Sequence, residues 1–239
     1  MKYEHTVPAT FIERPNRFIA YARLNDRIVT CHVKNTGRCK ELLTPNADVI
    51  LQHHPDAQAL GRKTEYSLIQ VYKQVNQTAE LINMDSQAPN QVAFEWFAAR
   101  TDISELRREV TFGNSRFDLA FCHNGKPAFA EVKGVTLEAG GIARFPDAPT
   151  IRGVKHLYEL AEAVQAGYEA YAFFVVAMKG IRCFEPNTAT HPEFTKALSY
   201  AAAHGVKVLA YDCITKPDSL VIDRPVPIIL NPSTDCQDS

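Results

Sequence analysis

Hydrophobic and polar positions alternate in short runs along the first third of the chain. The runs read FIERPNRFIAYARL, DRIVTCHV, ADVILQHH, TEYSLIQVYKQ and TAELINM, and turn-rich stretches such as HPDAQALGRK separate them. Alternation with a period of two indicates strands with one buried face, and several short strands in such a segment favour a small barrel, of which the five-stranded OB-fold is a common kind. The pattern therefore predicts an OB-like β-barrel domain over residues 1–83.

The period changes after MDSQAPN, where helices begin to alternate with buried strands. NQVAFEWFAAR has helical spacing with Asn90 as its N-cap, IRGVKHLYELAEAVQAG carries an apolar stripe that stops at Gly167, and HPEFTKALSYAAAHG has Pro192 in its first turn. YEAYAFFVVAM and VKVLAYDCI are apolar runs typical of buried strands. This alternation predicts an α/β (α+β) domain over residues 84–239, with a mixed sheet flanked by helices.

A β-hairpin is predicted over RFDLAFCHNGKPAFAEVKGV, because Asn124-Gly125 between alternating strands is the strongest short-range signal for a two-residue type I′ turn. This turn places Asp118 opposite Glu131 on one face of the hairpin. The reverse face is apolar and is expected to be core, with facing pairs Phe117–Val132, Leu119–Ala130 and Phe121–Ala128. A slip of one residue would mix the two faces, so the register is internally consistent.

Asp118, Glu131 and Lys133 form the candidate catalytic site on this hairpin. Two facing carboxylates repel each other unless a cation lies between them, and Mg²⁺ takes one or two carboxylates and completes its shell with water and phosphate oxygens. We therefore expect Asp118 and Glu131 to be metal ligands for Mg²⁺ or Mn²⁺, and Lys133, on the same face, to stabilise charge on a phosphate. Glu95 on the first helix is a candidate for a further catalytic carboxylate. An exposed hairpin in which Arg116 and Lys133 neutralise both acids would give the same pattern, and the residues alone leave the two interpretations open.

Charge is unevenly distributed along the chain, although the net charge of the 239 residues is only −1. Residues 11–40 carry +5, from seven basic and two acidic side chains. A local basic surface attracts phosphates even when the whole chain is balanced, and a merely solvated surface has the same composition. The side chains predicted to contact a DNA backbone are Arg14, Arg17, Arg23, Arg38, Lys40, Arg152 and Lys155.

The chain carries no sequence signal for secretion or membrane insertion. Its first residues, MKYEHTVPATFIERP, lack an apolar signal core, and no apolar run approaches the roughly 20 residues needed to span a bilayer. Six cysteines are scattered without a CxxC pair, which favours reduced thiols over a disulfide framework or a zinc site. We expect a cytoplasmic protein with no membrane partner.

Four long, ordered blocks of the sequence resemble the sugar fermentation stimulation protein A (SfsA) family: HVKNTGRCKELLTP, SRFDLAF, AEVKGVTLE and GGIARFPDAPTIRGVKHLYEL. The similarity runs nearly the whole length of the chain. It implies an OB-like domain followed by a nuclease-like domain of the PD-(D/E)xK kind, whose two acids and lysine correspond to Asp118, Glu131 and Lys133. The helix acid of such nucleases corresponds to Glu95. The family is described as binding DNA without sequence specificity and as influencing sugar metabolism, maltose use in particular.

Three functions from different classes remain as hypotheses. The first is a Mg²⁺- or Mn²⁺-dependent DNA phosphodiesterase, favoured by the complete set of two acids and a lysine. The second is a non-catalytic DNA-binding regulator of sugar metabolism, for which no clear helix-turn-helix is present. The third, a sugar- or protein-binding module, has least support, and a steep fall of DNA affinity with salt would exclude it.

Overall fold

A six-stranded sheet forms the first domain. The computed structural model of the protein describes residues 1–35, 37, 39–75 and 78–230. The strands of this domain are β1 (Thr6–Glu13), β2 (Ile19–Leu24), β3 (Arg27–Val33), β4 (Asp48–His53), β5 (Tyr66–Val75) and β6 (Thr78–Asn83). Their order is β3-β2-β1-β4-β5-β6, and parallel pairing of β3 with β5 closes five of them into a barrel. The predicted OB-like barrel is therefore confirmed.

The first predicted strand segment is two strands separated by a turn. β1 ends at Glu13 and β2 begins at Ile19. Pro15 between them has no N–H for a strand ladder, and the Oδ1 of Asn16 accepts the backbone N–H groups of Phe18 and Ile19 at 2.9 and 3.0 Å. These local hydrogen bonds reverse the chain where alternation alone predicted continuity.

The second domain is a mixed sheet with helices on both faces. Its elements are α1 (Ala88–Ala98), β7 (Ile103–Phe112), β8 (Ser115–His123), β9 (Lys126–Val135), β10 (Leu137–Ala139), β11 (Ile142–Phe145), α2 (Ile151–Gln165), β12 (Glu169–Val176), β13 (Cys183–Pro186), α3 (Pro192–Ala203), β14 (Lys207–Lys216) and β15 (Ser219–Pro225). The main sheet has the order β15-β14-β12-β9-β8-β7, in which β12 is parallel to both β9 and β14. A small sheet of β10, β11 and β13 lies beside it. The predicted mixed sheet flanked by helices is confirmed.

The start of α1 differs from the prediction. Its N-cap is Gln87, so Asn90 lies within the first turn and does not cap the helix. Pro89 occupies the first turn, where its missing N–H costs no helical hydrogen bond, and the helix therefore begins before Asn90. This shift matters for the site, because it frees the Asn90 side chain from capping.

Apolar layers cover both faces of the main sheet. The α1 side contains Val92 and Phe97 packed on Leu119, and the other side contains Leu157 and Leu198 from α2 and α3. The layer under α2 and α3 continues into the barrel, where its members include Phe11, Leu51 and Leu68. The two domains thus share one hydrophobic core. Among the described residues, no helix has the length and apolar character needed to cross a membrane.

Candidate active site

The β8–β9 hairpin has the predicted register around its turn. Five pairs run from Leu119–Ala130 to His123–Lys126. Asn124 and Gly125 have φ values of 50° and 80°, the positive values that a type I′ turn requires at both central positions. Asp118, Glu131 and Lys133 therefore lie just beyond the last pair of this ladder, at the end of the hairpin away from the turn.

Asp118 stands where that pairing stops. The last ladder pair is Leu119–Ala130, so Asp118 is not paired directly with Glu131 as the register predicts. Its Oδ2 accepts the backbone N–H of Val132 at 2.8 Å, and its Oδ1 accepts the Nδ2 hydrogen of Asn90 at 2.9 Å. The carboxylate takes the place of a ladder acceptor, and α1 orients it from the side.

The alternation of faces breaks at the same point. Phe117 packs against Phe129, with ring centroids 5.3 Å apart, in the layer under α2. Leu119 lies in the layer under α1. The prediction that both belong to one core face is wrong, because the side chain of Asp118 replaces a backbone hydrogen bond and interrupts the pleat. The face with Ala120 and Phe129 is buried as well, since helices cover both sides of the sheet.

Glu131 is buried, and its two carboxylate oxygens have different surroundings. Oε1 accepts hydrogen bonds from the Nζ of Lys133 and from the Nδ1 of His156. Oε2 is buried and has no hydrogen-bond partner among the described residues. A buried acceptor without a donor is costly, at about 1–3 kcal/mol, and a cation is the group that most readily offsets such a cost beside a second carboxylate.

His156 is a site residue that the sequence analysis missed. The helix was predicted from its apolar residues, to which His156 does not belong, yet the exposed fraction of His156 is 3%, whereas that of the apolar Ile151 is 86%. Its Nδ1–H donates to Glu131, and its Nε2 accepts the Nε hydrogen of Arg152 at 3.3 Å. Buried residues at Gly153, His156, Leu157 and Leu160 follow helical spacing, and this alternative stripe is the signal that would have found it.

The pKa values of the two carboxylates are shifted in opposite directions. Burial, followed by the negative charge of Glu131, raises the pKa of Asp118 above its usual range. Burial also acts to raise the pKa of Glu131, but the hydrogen bond from His156 and the charge of Lys133 outweigh it, and the net shift is downward. The site therefore resists carrying two full negative charges until a further positive charge is present. Among the described residues, no group of three or more His, Cys, Asp or Glu side chains that could hold a metal ion is present.

Gly134 lets α1 approach the strand that carries the site. A Cβ at this position would lie 2.5 Å from the Cγ of Pro89, closer than side-chain carbons approach in proteins. Pro89 precedes Asn90, whose amide reaches Asp118. The missing side chain of Gly134 therefore sets the distance at which α1 supports the carboxylate.

Glu95 lies outside this cluster. Its Oε2 is 2.6 Å from the ammonium group of Met1, its Oε1 accepts the Nε2 hydrogen of Gln91 at 2.6 Å, and its side chain is 44% exposed. The α1 residue that contacts Asp118 is Asn90. Of these two α1 residues, Asn90 therefore contacts Asp118, and Glu95 contacts the ammonium group of Met1.

Basic side chains border the site on the α2 side. An open groove of about 510 Å³ is lined by Arg116, Arg152 and Lys155, with His156 also among its lining residues. Lys155 also donates to the carbonyl of Asn114 at 3.0 Å. Of the predicted DNA-contacting residues, Arg152 and Lys155 therefore lie on an exposed surface that leads to Glu131 through His156.

The predicted basic residues of the barrel divide into two groups. Arg14 donates to the carbonyl oxygens of Arg17, Asn35 and Gly37 at 2.6–2.9 Å, so its guanidinium supports a loop and is not directed at solvent phosphates. Arg17 and Lys40 are exposed and line a second groove of about 380 Å³. Arg23 is exposed on β2, and Arg38 lies outside the described residues.

Comparison with known proteins shows matches along both domains. The SfsA N-terminal OB domain model matches residues 12–84, and the sugar fermentation stimulation protein RE domain model matches residues 87–219. A sugar fermentation stimulation protein homolog from Clostridium beijerinckii is 48% identical over 233 residues, covering 96% of this chain and 100% of that protein. A homolog from Desulfitobacterium hafniense strain Y51 is 50% identical over 222 residues, covering 92% of this chain and 94% of that protein.

A solved structure agrees with the fold. The structure of Pyrococcus furiosus SfsA in complex with Ca²⁺ superimposes with a TM-score of 0.82 and covers 96% of this chain and 98% of that one. At 23% sequence identity this likeness supports the fold alone. With both domain models and close relatives covering nearly its full length, the chain belongs to the sugar fermentation stimulation protein (SfsA) family.

Proposed function

We propose that this protein is a divalent-metal-dependent DNA phosphodiesterase whose site is built on Asp118, Glu131 and Lys133. The observation that carries the proposal is the buried Oε2 of Glu131, which has no donor among the described residues and belongs to a carboxylate whose charge helps to raise the pKa of Asp118. Nuclease-like sites need this combination of acids and a cation. The relative from P. furiosus was solved with Ca²⁺, a hard cation that takes carboxylate oxygens, which supports a cation site in the family fold.

Each side chain of the site has a distinct task in this proposal. Asp118 and Glu131 would hold Mg²⁺ or Mn²⁺, which supplies Lewis-acid polarisation of a phosphoryl oxygen and makes a bound water more acidic. Asn90 fixes the orientation of Asp118, and His156 fixes that of Glu131. Lys133 keeps a positive charge next to the carboxylates, where it can stabilise the charge that develops on a phosphate during hydrolysis.

DNA is the proposed substrate because the protein carries two basic grooves, one that leads to Glu131 through His156 and one on the barrel. Arg116, Arg152 and Lys155 line the groove on α2, while Arg17 and Lys40 line the groove on the barrel. Such residues neutralise backbone phosphates without reading sequence. Affinity for DNA is therefore expected to fall steeply as salt rises.

The first experiment measures cleavage of labelled single-stranded, duplex and branched DNA and RNA with Mg²⁺ and with Mn²⁺. Asp118→Asn, Glu131→Gln and Lys133→Ala are each expected to lower the cleavage rate by about 100-fold or more, since each removes an electrostatic contribution at the reacting phosphate. Glu95→Gln is the matched control and is expected to retain the wild-type rate, because Glu95 contacts the N-terminus and not the site.

Two outcomes would change the proposal. Equal loss in Glu95→Gln would restore Glu95 as a site residue and contradict the assignment of Asn90. An absence of cleavage on every substrate, together with salt-sensitive binding, would favour the second candidate, a non-catalytic DNA-binding regulator of sugar metabolism. The exposed Arg17 and Lys40 groove on the barrel is the observation that favours this candidate, because it lies on a different domain from the carboxylates.

A further inference from the structure

A cavity of about 130 Å³ lies between the barrel and the second domain. Its apolar walls come from Met84, Pro89 and Phe145, and its polar edge includes Asn35 and Asp147. The volume is several times the roughly 30 Å³ that one water molecule occupies in the liquid. The cavity therefore has room for one small organic group and is too small for a strand of nucleic acid.

This cavity adjoins the candidate active site through the backbone. Gly134 lines it and follows Lys133, whose ammonium contacts Glu131. Pro89 lines it and precedes Asn90, whose amide contacts Asp118. Two residues that line the cavity are thus direct chain neighbours of residues that contact the two carboxylates.

The polar edge of the cavity has the chemistry that recognises a nucleobase. Asp147 is exposed and makes no hydrogen bond or ion pair within the described part of the chain, so its carboxylate is available to accept from an exocyclic amino group or a ring N–H. Asn35 accepts the N–H of Gly37 with its Oδ1, which leaves the amide hydrogens of its side chain to donate to a ring carbonyl. Flat apolar walls with a donor and acceptor edge are how proteins hold a base that has left its stack.

The cavity also connects with the basic groove of the barrel. Gly37 lines that groove, and the position that a Cβ would take at Gly37 is filled by the carboxylate of Asp147 at the edge of the cavity. Arg17 and Lys40 line the same groove. A strand whose phosphates follow these cations would therefore pass the edge of the cavity.

We propose that this interdomain cavity receives one unpaired base of the DNA strand whose phosphate is bound at Asp118 and Glu131, so that the substrate is single-stranded or locally unpaired DNA. The inference rests on the proposed function, and it adds the substrate form that the carboxylates alone do not specify. The base in the cavity fixes the register of the strand relative to the reacting phosphate.

The test uses single-stranded oligonucleotides in which a single 2-aminopurine replaces each position in turn. Fluorescence is measured on the full-length protein with Ca²⁺ in place of Mg²⁺, so that the readout needs no turnover. One position is expected to brighten several-fold on binding, because 2-aminopurine is quenched by its stacked neighbours and is released from them in the cavity. An abasic site at that position is expected to lower affinity by about tenfold.

Ser86→Phe is the variant that fills the cavity, since Ser86 is exposed and lines it. The brightening and the tenfold abasic effect are both expected to disappear in this variant. Ser104→Phe is the matched control, because Ser104 is exposed on the edge strand β7 and has no part in the cavity. Asp147→Ala removes the exposed carboxylate at the polar edge of the cavity and is expected to weaken the same response.

The outcomes separate this inference from the proposed function. Salt-sensitive binding with no position-specific brightening, or the same brightening in Ser86→Phe as in the wild type, overturns the cavity as a base site and leaves the phosphodiesterase standing. An absence of salt-sensitive DNA binding overturns both. Position-specific brightening in a protein that cleaves no DNA retains the base site and removes the hydrolysis.

Discussion

Glu131 accepts two hydrogen bonds on one carboxylate oxygen and none, within the described structure, on the other. His156 and Lys133 together hold the carboxylate in one orientation, in which Oε2 is buried. Such an arrangement costs free energy in the absence of a cation, because a buried charged acceptor has lost its water. At the scale of single residues, this buried acceptor is the observation that supports the proposed cation site.

The unpaired Oε2 of Glu131 predicts that a bound metal ion stabilises the folded protein. At about 100 times its Kd, a cation that binds only the folded protein adds roughly 2.7 kcal/mol, which for a chain of this size raises Tm by several degrees. Titration of Mn²⁺ or Ca²⁺ in a thermal melt is expected to show this rise in the wild type and in Glu95→Gln. Glu131→Gln, which replaces Oε2 or Oε1 by an amide nitrogen, is expected to lose it, and an equal rise in that variant would contradict the metal site.

At the scale of elements, each carboxylate of the hairpin is oriented by a side chain from a different helix. α1 supplies Asn90 to Asp118, and α2 supplies His156 to Glu131. The distance of α1 depends on Gly134, where the strand has no side chain and Pro89 fills the space. Helix position and carboxylate geometry are therefore coupled through a single close contact.

A double-mutant cycle tests this contact. Gly134→Ala places a Cβ against Pro89 and is expected to destabilise the protein by roughly 1–3 kcal/mol, as overpacking does, and to reduce metal affinity because Asn90 is displaced. In a Pro89→Ala background the Cγ is gone, so the cost of Gly134→Ala is expected to fall by at least half. Urea unfolding of the four proteins measures the coupling. Additive costs would show that Pro89 and Gly134 act independently and would remove this account of how α1 is placed.

At the scale of the whole molecule, charged and apolar contacts join the two domains. Lys73 on β5 donates to the carbonyl and to the carboxylate of Glu138 on β10, both at 2.8 Å, and Glu138 is buried and also accepts the N–H of Gly141. Gln70 donates to the carbonyl of Lys216 at 2.9 Å. Together with the shared hydrophobic core, these contacts hold the barrel against the second domain.

Glu138→Gln is expected to lower the free energy of unfolding by about 1–3 kcal/mol, because it removes the charge that pairs with a partly buried Lys73. Since the core is continuous, unfolding of both domains is expected to remain a single transition that shifts to lower urea. Far-ultraviolet circular dichroism measures the loss of secondary structure in both domains, and the fluorescence of Trp96 measures unfolding of the second domain. Separation of the two transitions in the wild type would show that the domains unfold independently.

The sequence by itself determined the features that depend on neighbours in the chain. The Asn124-Gly125 turn fixed the register of five residue pairs, and helical spacing located the three helices of the described residues to within a few positions. Both succeed because turn chemistry and periodicity are local properties. The same register is enough to predict that Asp118, Glu131 and Lys133 lie close together on the hairpin. Strands without a distinctive pattern, such as the polar edge strand β7 and the short strands β10, β11 and β13, were not indicated.

Only the tertiary structure decided which helix residues complete the site. Asn90 is 28 residues from Asp118, and His156 is 25 residues from Glu131, so neither contact follows from local spacing. Asn90 and not Glu95 contacts Asp118 because the close approach of Pro89 to Gly134 sets the position of α1. His156 is buried because its side of α2 packs on the sheet. Packing between distant elements sets these positions, because an amphipathic pattern specifies that a face is buried but not what lies beneath it.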